Sequence, residues 1–272
     1  MEVLQAISLN GIPNKPNDDR CGSTAHLAWV IDGATDMGPP GLLGKQVGAA
    51  WLACTASNAF GKSKSGSIQE TCQAAFQRIE EQFDIQKTRD VSAAWEILKA
   101  AFGVAQVADG TLSVAWAADS PILLMSENDV MWCTGEPDTS SEAADALALG
   151  TGIGAASEIS GAVLEDRREH RARDGHISLS SSAQASAAVT SYAQYPVSQG
   201  DELLLMSDGF ASLVTDYQKY SAQELATAVR SYGLGVLAHE IRVIENEDAT
   251  CRRFPTFKVS DDATAMWPKI TG

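Results

Sequence analysis

Apolar positions along the chain fall into two kinds of run. Short, nearly continuous ones predict strands at Val3–Leu9, His26–Ile31, Thr111–Ala117, Ile122–Met125, Glu202–Met206 and Ala263–Trp267, with a further short one at Asp129–Thr134. Runs with apolar residues three and four apart predict helices. The first is Leu42–Phe60, with Val47, Trp51, Leu52 and Phe60 near one face. The second ends near Phe83 and carries Ala75, Ile79 and Phe83 four apart; Ser67 lies three residues before Glu70, the spacing of a capping box. Val91–Val104, with Trp95, Leu98 and Phe102, and Ser221–Tyr232 complete the set. Gly11–Arg20, Gly38–Gly41 and Gly61–Ser67 are rich in Gly, Pro, Asn and Ser and predict turns. Gly135–Ser186 is poor in large apolar residues and predicts loops, with a flap or variable region near 150–186. Gly150, Gly152 and Gly154 follow no strand, so they predict a flexible loop and no dinucleotide fingerprint.

Strands and helices come in blocks and do not alternate one by one. That order predicts an α+β layered domain, a single one over residues 1–272. Hydrophobic residues make up 44% of the chain, enough for a core of that size. The net charge of −15 makes phosphate backbones and anionic lipid heads unfavourable partners, so no nucleic acid and no membrane is expected. No run approaches the roughly 18 uncharged apolar residues of a membrane span. The start MEVLQAISLNG lacks a basic region followed by an apolar one. Five cysteines without a C-x-x-C pair argue against a disulfide framework and a zinc site. Together these predict a cytoplasmic protein.

The acidic residues supply the candidate chemistry. Asp32, Asp208 and Asp261 each fall where a predicted strand meets a turn, and Asp19 lies in a loop between two strands. Such positions are rigid and leave oxygens free, which suits hard divalent ions. Converging carboxylates raise one another's pKa, a conflict that a bound Mg²⁺ or Mn²⁺ removes. Two such ions activate a shared water and clamp a phosphoryl group for in-line attack. One Asp-Gly after a strand is usually a turn; four acids in order, each at a strand edge, are far less often accidental.

Four blocks carry a family resemblance: N-D-D-R at Asn17–Arg20, V-I-D-G-A-T at Val30–Thr35, L-L-L-M-S-D-G-F at Leu203–Phe210 and S-D-D-A-T at Ser260–Thr264. A weaker fifth is A-W-A-A-D-S at Ala115–Ser120. In this order they resemble the metal-dependent Ser/Thr protein phosphatases of the PPM, or type 2C, family, in its bacterial single-domain form. The resemblance implies a four-layer α-β-β-α sandwich, two mixed, mainly antiparallel sheets flanked by helices. It implies two Mn²⁺ or Mg²⁺ ions. Asp32 would be shared by both, Asp208 and Asp261 would complete the first site, and Asp19, the Gly33 carbonyl and Asp18 would serve the second. Asp119, with Asp208, would hold a weaker third ion. The implied partner is a phosphorylated protein, with the chain acting as a monomer.

Two positions depart from the family's pattern. Asn14 stands where members often have a phosphate-gripping Arg; Lys15 beside it offers a point charge without a bidentate fork. Ala34 stands where many have His. Slower turnover or a narrower substrate range is expected. These departures keep two alternatives open: a phosphatase-fold module that binds phosphoproteins with little or no turnover, and a phosphatase of small phosphorylated metabolites. The basic run Glu165–His176 offers Arg167, Arg168, Arg171 and Arg173 as phosphopeptide contacts or as a solvated surface segment. His26, His170, His176 and His239 show no ligand spacing, and Trp51, Trp95 and Trp116 are expected in the core.

Overall fold

The computed structural model describes residues 1–63, 66–127, 129–151, 161–173 and 176–271. In chain order its strands are β1 (Glu2–Leu9), β2 (Arg20–Ser23), β3 (Leu27–Ala34), β4 (Lys99–Ala108), β5 (Thr111–Ala117), β6 (Ile122–Met125), β7 (Val130–Trp132), β8 (Leu179–Ser180), β9 (Ser191–Pro196), β10 (Glu202–Met206) and β11 (Ala263–Lys269). The helices are α1 (Gly48–Gly61), α2 (Ile68–Gln86), α3 (Ser140–Leu149), α4 (Gly161–Ala172), α5 (Ala183–Val189), α6 (Asp208–Ala211), α7 (Ala222–Tyr232) and α8 (Leu234–Glu247).

One sheet has the order β1-β11-β10-β6-β7 and the other β2-β3-β4-β5-β9, with β8 paired to the start of β4. Every described pairing is antiparallel, in line with the mainly antiparallel sheets expected. Alternation along the strands sets the layers. On β3, Trp29 and Ile31 pack with α1 and α2, while Ala28 and Val30 face the other sheet. On β10, Leu203 and Leu205 enter the inter-sheet core, whereas Leu204 and Met206 pack with α7 and α8. The result is the expected sandwich, helices on both outer faces. Phe60, Phe76 and Phe102 interlock on the α1–α2 side. Each buried side chain of that size contributes roughly 1.5–3 kcal/mol.

The helix expected from Leu42 begins only at Gly48, with Val47 exposed, and Trp95 and Trp116 are part-buried where core positions were expected. Two longer stretches differ more. Val91–Val104 is not a helix: one 3-10 turn at Ala94–Glu96 is followed by β4 from Lys99. β4 is covered on both faces over most of its length, so its apolar run lacks alternation, and Trp95, Leu98 and Phe102 imitate helical spacing. The stretch 135–186 holds α3, α4, β8 and α5 where loops were expected. Its helices are built from Ala and polar residues, and α3 buries only Ala146, so no apolar stripe announces them. Gly150 ends α3 at φ 130°; Gly152 and Gly154 lie outside the described residues. The capping box forms as expected: the Ser67 side chain accepts from the Glu70 N–H and the Glu70 carboxylate from the Ser67 N–H.

Candidate functional site

The candidate acids meet at one end of the sandwich. Asp19 directly precedes β2. Asn17 Oδ1 accepts from the Asp19 N–H at 2.7 Å, and Asn17 Nδ2 donates to Ser8 Oγ at 3.0 Å. The Asp262 carboxylate accepts from the N–H groups of Gly11 (2.7 Å) and Asp18 (2.6 Å), clamping this loop to the start of β11. The Ser207 N–H donates to the Thr264 carbonyl and the Thr264 N–H to Ser207 Oγ, both at 2.9 Å. The Ser of Ser-Asp-Gly and the Thr of Asp-Asp-x-Thr thus hold β10 against β11.

Asp32 lies inside β3, not beyond it, and pairs in register with Ala101. Gly33 follows because no side chain fits: a Cβ there would stand 2.7 Å from the carbonyl oxygens of both Ala49 and Asp18. Asp208 opens the single turn of α6 after β10, and a Cβ on Gly209 would collide with the Asp262 carbonyl. Asp261 lies two residues before β11. Arg242 of α8 donates to its carbonyl at 2.8 Å. Glu245 grips the same guanidinium at 2.6 and 2.7 Å and accepts from Ser260 Oγ at 2.7 Å. This α8 network was not legible in the sequence, because nothing in the spacing links Arg242 to Asp261.

Asp19 is only 1% exposed, and neither of its carboxylate oxygens has a donor in good hydrogen-bond geometry, though the Ser207 and Thr264 hydroxyls lie near enough to temper its pKa; Oδ1 of Asp18 and of Asp208 are likewise buried without a partner. Burial, then the charge of Asp208, pushes Asp19 up to about 8. Burial, then Asp262, pushes Asp18 up to about 6. Asp32 and Asp208 are both driven well above the carboxylate range, first by burial; Asp19 adds to the rise at Asp32, and Asp32 to the rise at Asp208. The two carboxyls lie close enough that each perturbs the other. Asp261 lies within electrostatic reach of Asp18, Asp19, Asp32, Asp119 and Asp208, and Asp119 of Asp32 and Asp208.

Among the described residues, no three His, Cys, Asp or Glu side chains close into a ready cage for one ion. The carboxylates instead act on one another electrostatically across the site, each raising its neighbours' pKa. Mg²⁺ binds through one or two carboxylates and keeps several waters, so paired acids with bare buried oxygens fit such an ion.

Lys15 is not drawn into the cluster: it sits in an exposed turn, and among the described residues no hydrogen bond or ion pair holds its ammonium. The cation at the site is Lys258, which sequence reasoning passed over. Its Nζ donates to Asp261 Oδ1 at 2.9 Å and Oδ2 at 2.7 Å. Crowding works against its charge, but Asp261, Asp208 and Asp32 outweigh that and raise its pKa. The only signal in the sequence was a Lys three residues before an Asp.

A cavity of about 400 Å³ opens beside Asp119 and Asp208. Glu136, Asp138, Glu142 and Asp145 line it, with Arg167 and His170 from α4. Arg167 is paired with Glu142 and lies over Phe257. Arg168 instead donates to the Met37 carbonyl and covers Trp95, and Arg171 lies near Asp36. A larger cleft of about 800 Å³, between Ser126 and Arg230, touches none of the candidate residues.

No protein-family model and no curated protein matches the sequence. Solved structures do. The serine/threonine phosphatase PstP/Ppp of Mycobacterium tuberculosis aligns over 98% of each chain at 14% identity, TM-score 0.59. The catalytic domain of PstP, solved with two manganese ions, aligns over 98% of this chain and 97% of its own at 15% identity, TM-score 0.56. The PPM Ser-Thr phosphatase MsPP of Mycobacterium smegmatis, solved with cacodylate, aligns over the whole of both chains at 19% identity, TM-score 0.54. The chain therefore has the fold of the PPM-type serine/threonine phosphatases.

Proposed function

We propose that this chain is a Mn²⁺- or Mg²⁺-dependent phosphatase that removes phosphate from phosphoserine and phosphothreonine in proteins. The observation that carries the reading is the meeting of Asp19, Asp32 and Asp208 from separate parts of the chain, with buried oxygens on Asp19 and Asp208 that lack a donor in good geometry. That two manganese ions accompany PstP on the same fold supports it.

In this reading Asp32, Asp208 and Asp261 would hold one ion, and Asp32, Asp19, Asp18 and the Gly33 carbonyl would hold the other. Asp119 with Asp208 would hold a weaker third. Bound Mn²⁺ or Mg²⁺ supplies Lewis acidity at the phosphoryl oxygens and a lowered pKa for the attacking water. The chain's own groups bind and orient. Arg167, fixed by Glu142 and Phe257, offers a guanidinium on the wall of the cavity beside Asp208. The carboxylates around it oppose entry of small polyanionic metabolites, whereas a peptide brings its phosphate on a neutral or basic chain. That charge pattern favours a protein substrate over a metabolite.

The test is phosphate release from p-nitrophenyl phosphate and a phosphothreonine peptide. Release should need Mn²⁺ or Mg²⁺, stop with EDTA, and fall by about a hundredfold or more in Asp208→Asn. Release indifferent to EDTA, or unchanged in Asp208→Asn, contradicts the reading.

A further inference from the structure

The ammonium of Lys258 sits on an acid that the proposed reading gives to a metal. It donates to both oxygens of Asp261, at 2.9 and 2.7 Å, with Asp208 and Asp32 within electrostatic reach. Its segment is well anchored. Asp248, at the end of α8, accepts from the N–H groups of Arg252, Arg253 and Phe254. The Lys258 carbonyl accepts from Thr256 Oγ1 and from Cys251 Sγ. The loop is therefore held by main-chain bonds, and the Lys258 side chain is free to serve Asp261 alone. Asp261 is likewise fixed through its carbonyl by Arg242.

Resting on the metal-dependent reading above, we propose that Lys258 is a tethered cation that occupies Asp261 in the metal-free protein and competes with the divalent ion for it. The ammonium holds both oxygens of Asp261, so an ion that takes an oxygen of this carboxylate must displace at least one of those bonds. Lys258 is half-exposed, which leaves it a path into solvent when displaced. The consequence is a raised threshold: the acid pair stays compensated at low divalent concentration, and the ion at Asp261 loads only when divalent cation is plentiful. Lys258 acts here through Asp261, as a positioning residue.

The experiment is calorimetric titration of Mn²⁺ into the chelator-treated full chain, as wild type, Lys258→Met and Lys258→Arg, with circular dichroism to compare their folding. Lys258→Met keeps the length and removes the charge; it should bind Mn²⁺ more tightly, on the order of tenfold. Lys258→Arg keeps the charge and should stay near wild type. A merely structural lysine would give weaker binding, or none, on substitution. Equal or weaker affinity in Lys258→Met, or Lys258→Arg matching Lys258→Met, overturns the proposal. Mn²⁺-dependent hydrolysis with three coincident affinities sinks this inference alone. Tighter binding by Lys258→Met in a protein that hydrolyses no phosphoester sinks the phosphatase reading alone. Absence of Mn²⁺ binding in all three forms sinks both.

Discussion

Asp19 carries the sharpest physical conflict in the molecule. Its side chain is almost fully buried among other acids, and neither oxygen meets a donor in good hydrogen-bond geometry. An unsatisfied buried polar group costs about 1–3 kcal/mol, and more when charged. The metal-free protein relieves this by holding protons: Asp18 rises from 3.8 to about 6 and Asp19 from 3.8 to about 8. A carboxyl whose folded pKa lies above its unfolded one favours the folded state fully below the unfolded pKa. That share is lost as pH rises through the folded value. With EDTA present, the melting temperature should therefore fall between pH 5 and pH 8, the Asp18 share levelling off near pH 6 and the Asp19 share near pH 8. With saturating Mn²⁺ the fall should vanish or reverse, because the ion replaces the proton. Scanning calorimetry across that range checks it; a flat profile in EDTA would speak against the buried, uncompensated acids.

At the scale of elements, the ends of β10 and β11 set the distances between acids. Gly209 lets α6 pass against the Asp262 carbonyl, and Ser207 and Thr264 tie the strands together. Gly209→Ala should force these ends apart, lowering stability by about 1–3 kcal/mol in urea denaturation and weakening Mn²⁺ binding. Unchanged stability and binding would remove this joint from the account. The same elements explain what could be read in advance. β10 and β11 were legible because apolar runs stop at acid-rich turns, and α2 because Ser67 and Glu70 announce its start. β4 was misread because a strand covered on both faces has no alternation to display. α8 went unremarked although Leu234, Leu237, Ala238 and Ile241 keep a three-and-four spacing. Asp19, Asp32, Asp208 and Asp261 were legible from motif order. Lys258, Asp262 and Arg242 were not, since their roles depend on contacts between distant loops that no local pattern encodes.

For the whole molecule, two antiparallel sheets stacked face to face bring acids from the start of β2, the inside of β3, the loop after β5 and the facing ends of β10 and β11 to one end. The chain's −15 charge adds to the pull on divalent cations and opposes anionic surfaces. Among the described residues no helix is long and apolar enough to cross a membrane. The layered fold holds carboxylates where repulsion would otherwise separate them, and the core built by Phe60, Phe102, Leu203 and Met266 resists that repulsion. The most direct test of this arrangement is anomalous scattering from crystals soaked in Mn²⁺. The account predicts two manganese peaks, one touching Asp32, Asp208 and Asp261 and the other touching Asp32 and Asp19. A map with no peak among these four residues, or with manganese only elsewhere on the surface, would contradict it.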